Sequence, residues 1–326
     1  MKCTNRKKQL CAVLLAVAFL LNGCGQIKYD FAYDPDYGVS PFQITNRTKE
    51  YKTSSFAQDL CVVSQDVSSG DADLESAGAA GLFSVEDTAV YAAKNAHTRM
   101  NPASLTKIMT ALVAVKNGSM DQILTATEQT KITESGAQVC GIKPGDTMTM
   151  DQALHILLLY SANDVAMMIA ENVAGSVEGF VEMMNQEAKR LGATNTHFMN
   201  PHGLTEENHY TTAYDLYLIF NEAIRYEGIT QIMHMTSYET VYKDGSGKDK
   251  ELSVRTTNLY LRGEASVPER ITVMGGKTGT TQAAGHCLIL LSRDTSGKAY
   301  ISVILREPTQ DDLYMDMSDL LNEIPR

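Results

Sequence analysis

The chain has 326 residues, 44% of them hydrophobic, and a formal net charge of −11 at neutral pH. A chain of this size and composition can bury a full core in one large domain or two modest ones, which excludes a disordered protein. The acidic balance excludes DNA or RNA as a partner, because phosphate binding needs clustered lysine and arginine side chains.

The first 23 residues have the pattern of an export signal. Basic residues precede an apolar run over 10–21, which is too short for a bilayer-spanning helix of about 20 residues, and small residues follow at Gly23 and Cys24. The string ending at Cys24 resembles a bacterial lipobox, so we predict a lipoprotein signal peptide over 1–23 and a lipid on Cys24. Asn22 is uncommon in a lipobox, and ordinary signal-peptidase cleavage or an uncleaved anchor are the alternatives.

Three cysteines follow Cys24, namely Cys61, Cys140 and Cys287. Their wide spacing without a CxxC pair predicts neither a zinc site nor a disulfide framework. We interpret Cys140 and Cys287 as buried thiols that act as small apolar side chains. One disulfide between two of the three is the alternative in an exported protein.

A polar segment over 24–76 is predicted to be a tether, and the folded domain is predicted over 77–326. Hydrophobic periodicity and helix caps, including a capping box at Thr149 and Gln152, predict the elements of this domain. The predicted strands cover 81–85, 88–92, 239–243, 272–278, 287–291 and 300–305, and the predicted helices cover 104–116, 149–160, 176–190, 212–226 and 311–323. Strands at both ends of a helical middle predict an α/β (α+β) fold, with one sheet assembled from both termini and a helical subdomain beside it.

The first chemical motif is Ser104-Leu-Thr-Lys107. Residues i and i+3 share a helix face, so Lys107 can reach the Ser104 hydroxyl and act as its base if burial or nearby cations lower the lysine pKa. A nucleophile in the first turn also points free backbone N–H groups toward a forming oxyanion. The motif alone is weak evidence, because a helix N-cap followed by a surface lysine has the same sequence.

Two further triplets follow. Ser161-Ala-Asn163 lies between two predicted helices, where a turn can aim two side chains at a cleft; a capped turn with Asn163 as N-cap is the plain alternative. Lys277-Thr-Gly279 ends a strand whose small residues let a ligand approach the backbone. An edge strand protected by lysine is the plain alternative there.

The three motifs occur together in penicillin-binding proteins and class A β-lactamases. Over about 77–323 the chain resembles the low-molecular-weight penicillin-binding proteins that are serine-type D-alanyl-D-alanine carboxypeptidases. The resemblance implies a β-lactamase/transpeptidase-like fold, with an antiparallel sheet flanked by helices and an all-helical subdomain, and it implies no cofactor. The stretches that carry it are 101–107, 196–204, 209–213 and 277–287.

The resemblance implies a role for each motif residue. Ser104 would attack the carbonyl of the penultimate D-alanine of a peptidoglycan stem peptide, with Lys107 as general base, and release the terminal D-alanine. β-Lactams mimic that peptide end, so they would acylate Ser104 and leave slowly. The backbone N–H groups of Ser104 and Thr280 would form an oxyanion hole. Ser161 and Asn163 would relay a proton and hold the peptide backbone, and the terminal carboxylate would bind the strand carrying Lys277, Thr278 and Gly279.

Departures from the family pattern lead to two further expectations. Family members often continue into a C-terminal β-domain and a membrane helix, which we do not expect here. Lipid on Cys24 would then anchor the protein at the outer face of the bacterial cytoplasmic membrane, with secretion as the alternative. Arg306 follows the last predicted strand and is a weaker candidate for binding the substrate carboxylate; a solvated arginine is the plain alternative.

His197, His202 and His209 lie close together in the sequence. They lack the HExxH spacing and a defined carboxylate ligand, so we expect no metal and interpret them as shaping loops near the site.

Rival functions stay open. A class A β-lactamase usually has Asp where Ala162 stands and a loop Glu that activates water, whereas Glu178, Glu182 and Glu187 lie in a helical pattern. Two further rivals are a non-catalytic cell-wall binding protein and a D,D-endopeptidase that acts on cross-links.

Overall fold

The computed structural model describes residues 57–325. The strands are β1 (Ala79–Ser84), β2 (Val90–Lys94), β3 (Ile123–Thr125), β4 (Thr147–Thr149), β5 (Ser237–Lys243), β6 (Asp249–Arg255), β7 (Thr272–Thr281), β8 (Gly285–Arg293) and β9 (Ala299–Glu307). The α-helices are α1 (Thr106–Asn117), α2 (Met150–His155), α3 (Asn163–Ala174), α4 (Val177–Arg190), α5 (Ala213–Ala223), α6 (Glu227–His234), α7 (Leu259–Arg262) and α8 (Gln310–Asn322).

The larger sheet has five antiparallel strands in the order β2-β1-β9-β8-β7. Strands from the two ends of the described chain meet in it, as the sequence predicts. The strands β1, β8 and β9 are buried almost throughout, so their sequences are nearly continuous in apolar residues. Strand β7 lies at the edge of the sheet, which leaves one of its sides free to border a cleft.

Helices cover both faces of this sheet. Leu288 of β8 belongs to a cluster with Met317 of α8, whereas its neighbour Ile289 belongs to a second cluster with Ile108 of α1. Successive strand side chains point to opposite faces, so one strand contributes to both clusters.

A smaller sheet has four strands in the order β3-β4-β5-β6. The prediction of a single sheet is therefore wrong: the predicted strand at 239–243 pairs with β6 and, through Lys243, with β4. The strands β3 and β4 have three residues each, which is too short for the alternation of apolar and polar residues that predicts a strand.

Side-chain caps lie at the starts of most of the predicted helices. Thr149 and Gln152 form the predicted capping box at α2, and Ser176 and Thr212 accept backbone N–H groups at the starts of α4 and α5. The helix predicted over 149–160 changes after α2 into a π-helix at Ile156–Tyr160. Such segments are rare and often occur at functional sites.

The segment 57–76 packs against the domain. Cys61 and Leu74 are buried, and Val67 exchanges backbone hydrogen bonds with Ala93 of β2. The predicted domain start at Ala77 is therefore too late in the chain, and the part of the predicted tether at 57–76 belongs to the folded domain.

The predicted signal peptide, Cys24 and the first part of the predicted tether lie outside the described residues. Within 57–325, none of the helices combines the length and the apolar character needed to cross a bilayer.

Candidate active site

The three motifs meet at a cleft between the edge of the larger sheet and the helices. Ser104 lies in a 3₁₀ turn at Ala103–Leu105, directly before α1. The side chains of Lys107 and Lys277 are 0% and 1% exposed, so both amines lie beneath the cleft surface. The motif residues on the wall of this cavity of about 450 Å³ are Ser104, Ser161, Asn163, Thr278, Gly279 and Thr280.

Lys107 is placed to act as a base toward Ser104. Its Nζ lies 2.9 Å from Ser104 Oγ, 2.6 Å from Asn163 Oδ1 and 2.6 Å from the His202 carbonyl oxygen. Burial, and then the charge of Lys277, hold the pKa of Lys107 well below its usual range. A neutral amine can donate to the Asn163 and His202 oxygens and keep its lone pair for the proton of Ser104.

Lys277 makes the corresponding contact with the second serine. Its Nζ lies 2.9 Å from Ser161 Oγ and donates to the Thr278 carbonyl oxygen at 2.8 Å. Burial lowers the pKa of Lys277 to about 7. Ser161 itself ends the π-helix in the left-handed region, with a φ of 69°. Non-glycine residues keep that conformation only where the surrounding structure imposes it, often at functional sites.

Strand β7 passes directly against the turn that carries Ser104. A Cβ added at Gly279 would lie 2.9 Å from the Ser104 backbone nitrogen and 3.1 Å from the Ala103 Cβ. The absence of a side chain at Gly279 therefore allows the strand to approach the N–H group of Ser104. Ala103 has a φ of 47°, a second left-handed residue at the site.

Two threonine hydroxyls of β7 face polar partners. Thr278 Oγ1 lies 2.5 Å from Thr257 Oγ1, and Thr280 Oγ1 lies 3.3 Å from His286 Nδ1. Thr257 and His286 also line the cavity. Thr257 lies outside the motifs and outside the stretches that carry the resemblance, so it was not predictable from the sequence. His286 lies within the stretch 277–287, but no role was predicted for it.

Arg306 does not lie on the cavity wall. It is exposed and has a φ of 64°, and its side chain lies against Gly78, where an added Cβ would come within 2.8 Å of the Arg306 Cβ. Among the described residues, the arginine that lines the cavity is Arg262 of α7. Its Nη2 lies 2.7 Å from Glu264, and both side chains are partly exposed.

A buried carboxylate outside the motifs fixes a further part of the wall. Asp164 is 2% exposed and accepts backbone N–H groups from Gly141 at 2.8 Å and Ile142 at 3.2 Å. The Asn163 N–H donates to the Gln138 carbonyl oxygen at 2.8 Å, so the loop that contributes 136–138 to the cavity is held at two points. The only sequence signal for this role was an acidic residue in a first helical turn.

The three neighbouring histidines have separate surroundings. His202 accepts the Leu204 N–H at its Nδ1, and its own carbonyl contacts Lys107. His209 lies between Thr106 and the Met199 N–H, whereas His197 contacts the Asn208 carbonyl. Burial lowers the pKa of His202 to about 3 and that of His209 to about 4, so both are neutral at physiological pH.

The cysteines of the described chain are free thiols. Cys61 and Cys287 are buried and Cys140 is half-buried. Burial raises the pKa of Cys61, Cys140 and Cys287, so they stay protonated at neutral pH.

Comparison with known proteins shows which family the chain resembles. The family model described as D-alanyl-D-alanine carboxypeptidase matches residues 66–309. The D-alanyl-D-alanine carboxypeptidase DacF of Bacillus subtilis is 33% identical over 233 residues, which cover 70% of this chain and 57% of that protein. The D-alanyl-D-alanine carboxypeptidase DacB2 of Mycobacterium tuberculosis is 31% identical over 226 residues, covering 66% of this chain and 73% of that protein.

The fold is shared with solved structures. The crystal structure of the Streptomyces K15 DD-transpeptidase superimposes with a TM-score of 0.70 at 25% identity, covering 76% of this chain and 96% of that chain. The predicted transpeptidase-like fold and the resemblance inferred from the motifs are both confirmed. This chain spans little more than half the length of DacF.

Proposed function

The chain belongs to the D-alanyl-D-alanine carboxypeptidase family, and on this basis we propose that it removes the terminal D-alanine from peptidoglycan stem pentapeptides through an acyl-enzyme on Ser104. The observation that carries the proposal is the distance of 2.9 Å between Ser104 Oγ and the buried Lys107 Nζ. A serine needs such a base to become a nucleophile.

Acylation begins with proton transfer from Ser104 to neutral Lys107. Ser104 Oγ then bonds to the carbonyl carbon of the penultimate D-alanine, and the oxyanion forms opposite the backbone N–H groups of Ser104 and Thr280. Collapse breaks the peptide C–N bond. The leaving amine takes the proton that Lys107 had accepted, passed on through Ser161, so Lys107 is neutral again when terminal D-alanine departs.

Deacylation repeats these steps with water. Lys107 takes a proton from water as the water oxygen adds to the ester carbon, and the proton returns to Ser104 Oγ when the ester bond breaks. The net reaction consumes one water and yields a shortened peptide and D-alanine.

β-Lactams are proposed inhibitors rather than rapidly hydrolysed substrates. The cavity wall of the described chain carries no Asp or Glu side chain, so it offers no carboxylate to activate water for a β-lactam ester. Glu187, one of the helical glutamates, is instead paired with Lys116 and Arg190. This favours a penicillin-sensitive carboxypeptidase over a class A β-lactamase.

Substrate binding is proposed to use the edge of β7. Thr278 and Thr280 line the cavity, and the Lys277 amine lies beneath it, 2.9 Å from Ser161 Oγ. The placement of Arg306 outside the wall does not support the weaker expectation that it binds the carboxylate, whereas Arg262 lies on the wall.

Export and lipid anchoring through Cys24 belong to the same proposal. They rest on the basic and apolar start of the sequence and the string Leu21-Asn22-Gly23-Cys24. Mass spectrometry of the mature N-terminus tests them, with Cys24→Ala as control. An unmodified Cys24 at the mature N-terminus, or within a longer chain, contradicts the anchor.

The decisive experiment incubates the purified protein with a pentapeptide ending in D-Ala-D-Ala and, separately, with fluorescent penicillin. We expect D-alanine release and covalent labelling by the wild type, and neither reaction by Ser104→Ala, whose circular dichroism should be unchanged. Equal D-alanine release by the variant would exclude Ser104 as nucleophile. A cross-linked dimeric peptide added in parallel distinguishes endopeptidase activity, and labelling without turnover would indicate a binding protein.

A further inference from the structure

The peptide group between Ala103 and Ser104 is held by one residue of α1. The Ala103 carbonyl oxygen accepts the hydroxyl of Thr106 at 2.8 Å and also the Thr106 backbone N–H. A trans peptide is planar, so its C=O and N–H point in opposite directions. Whatever fixes the direction of the Ala103 carbonyl therefore fixes the direction of the Ser104 N–H.

The Thr106 hydroxyl is itself oriented by His209. Its oxygen lies 2.9 Å from His209 Nε2, and His209 Nδ1 accepts the Met199 N–H at 3.1 Å. Because Nδ1 is an acceptor, the ring proton of the neutral imidazole lies on Nε2 and is donated to Thr106. The threonine is then left to donate its own proton to the Ala103 carbonyl oxygen.

This chain of hydrogen bonds is shielded from water and closely packed. Thr106 and His209 are 0% and 1% exposed. A Cβ added at Gly203 would lie 1.9 Å from the Ala103 carbonyl oxygen and 2.8 Å from Thr106 Oγ1. Ala103 meanwhile adopts a left-handed φ of 47°, which an alanine keeps only when its neighbours hold it there.

We propose that Thr106 and His209 are positioning residues for the oxyanion hole: the relay from His209 through Thr106 to the Ala103 carbonyl keeps the Ser104 N–H directed at the substrate oxyanion. Neither side chain lines the cavity, so both act through the backbone of the nucleophile. The inference deepens the proposed function and rests on it.

A matched pair of valine substitutions tests the relay. Thr106→Val removes the hydroxyl with little change of shape. Thr110→Val is the control, because Thr110 lies one turn further along α1, is equally buried, and donates to the Pro201 carbonyl oxygen at 2.6 Å. Thr106→Val loses the hydroxyl's bonds to the Ala103 carbonyl and to His209, and Thr110→Val loses the bond to the Pro201 carbonyl and a longer contact of 3.5 Å to the Thr106 carbonyl. Only Thr106→Val removes a bond that holds the peptide before Ser104.

The readout separates binding from acylation. Stopped-flow labelling with fluorescent penicillin gives the dissociation constant of the initial complex and the acylation rate constant. Loss of one oxyanion donor commonly costs 10²–10³-fold in rate, so for a misdirected donor we expect acylation to slow by roughly 10- to 100-fold in Thr106→Val, with the dissociation constant unchanged. Thr110→Val and Thr106→Ser, which keeps the hydroxyl, should stay within about threefold of the wild type.

A second pair covers the case in which Thr106→Val does not fold. His209→Gln keeps an N–H that can donate to Thr106, whereas His209→Leu does not, so acylation should slow more in the leucine variant. Because both residues act on one carbonyl, Thr106→Val/His209→Leu should be no slower than the slower single variant.

Equal acylation by Thr106→Val and Thr110→Val, at comparable melting temperatures, would overturn the inference while leaving the proposed function intact. A wild-type protein that neither binds penicillin covalently nor releases D-alanine would overturn both.

Discussion

The side-chain nitrogen of Lys277 lies 2.9 Å from the Ser161 hydroxyl oxygen, and that of Lys107 lies at the same distance from Ser104 Oγ. Each serine of the cleft thus has its own buried amine. Burial lowers the pKa of both lysines, and the charge of Lys277 lowers that of Lys107 further. Repulsion between the two amines favours a state in which at most one of them is charged, and in the proposed mechanism Lys107 is the neutral base.

Replacing Lys107 by methionine should abolish acylation while leaving the serine in place. General-base catalysis commonly contributes about 10²–10⁴-fold, and we expect a loss of that size in D-alanine release and in penicillin labelling by Lys107→Met. The measurement is the rate constant of each reaction, with the melting temperature and near-ultraviolet circular dichroism as controls for folding. Wild-type labelling by the variant would show that another group takes the proton of Ser104.

The same variant should change how stability depends on pH. The folded pKa of Lys107 is lowered, so between that pKa and the ordinary value of 10.5 the unfolded chain binds more protons than the folded protein. The Lys107 contribution therefore makes the wild type more stable as pH rises through this range. Urea unfolding at several pH values should show that Lys107→Met lacks up to about 1.4 kcal/mol per pH unit of this slope. Parallel curves for the two proteins would mean that Lys107 is charged in the folded state.

Gly279→Ala should slow acylation by pushing strand β7 away from the turn that carries Ser104. The new Cβ would lie 2.9 Å from the Ser104 nitrogen, closer than real Cβ contacts allow, so the strand and the turn must separate. Since the oxyanion donors lie on these two segments in the proposed mechanism, we expect the acylation rate constant to fall by roughly 10²-fold. Gly247→Ala is a suitable control, because its added Cβ would meet nothing within 4 Å and its φ of 82° places backbone strain away from the cleft. Equal effects of the two substitutions would contradict the proposed geometry.

Arg262→Gln should weaken substrate binding more than Arg306→Gln does. Arg262 lines the cavity and Arg306 does not. A charge-assisted hydrogen bond is worth about 1.5–3 kcal/mol, and competition by Glu264 should reduce that, so we expect KM for the D-Ala-D-Ala peptide to rise about tenfold in Arg262→Gln and to stay near wild type in Arg306→Gln. A larger rise in Arg306→Gln would restore the role that its position in the sequence suggested.

The chemistry of the site was predictable because it is local in sequence. Ser104 and Lys107 are one helical turn apart, so helix geometry predicts their contact. The caps at Thr149, Ser176 and Thr212 bind backbone groups only three positions away, so they too can be predicted from nearby residues. The approach of Gly279 to Ser104 was not predictable from spacing, since it depends on how β7 docks against α1. Only the resemblance to a known family predicted that the strand carrying Gly279 lies beside Ser104.

The missed features depend on contacts between distant segments. Asp164 holds a loop more than twenty positions earlier in the chain, and nothing in its own neighbourhood distinguishes it from an ordinary first-turn acid. Strands β3 and β4 exist because they pair with each other, as their length gives no pattern. Leu74 is a single apolar residue between two acidic ones, and Cys61 lies in a short apolar run at 60–63 within a polar stretch. Composition therefore indicated a tether where packing makes a domain.

The hydrogen bonds between Val67 and Ala93 have a bearing on solubility. Through them, the segment before β1 covers part of the outer side of β2, which is the edge strand farthest from the cleft. A shortened chain starting at Ala77 would expose strand β2 and the apolar surface beneath Cys61 and Leu74. Exposed edge strands pair with strands of other chains and so promote aggregation. We expect such a fragment to aggregate when expressed, whereas one starting at residue 57 should remain monomeric in size-exclusion chromatography.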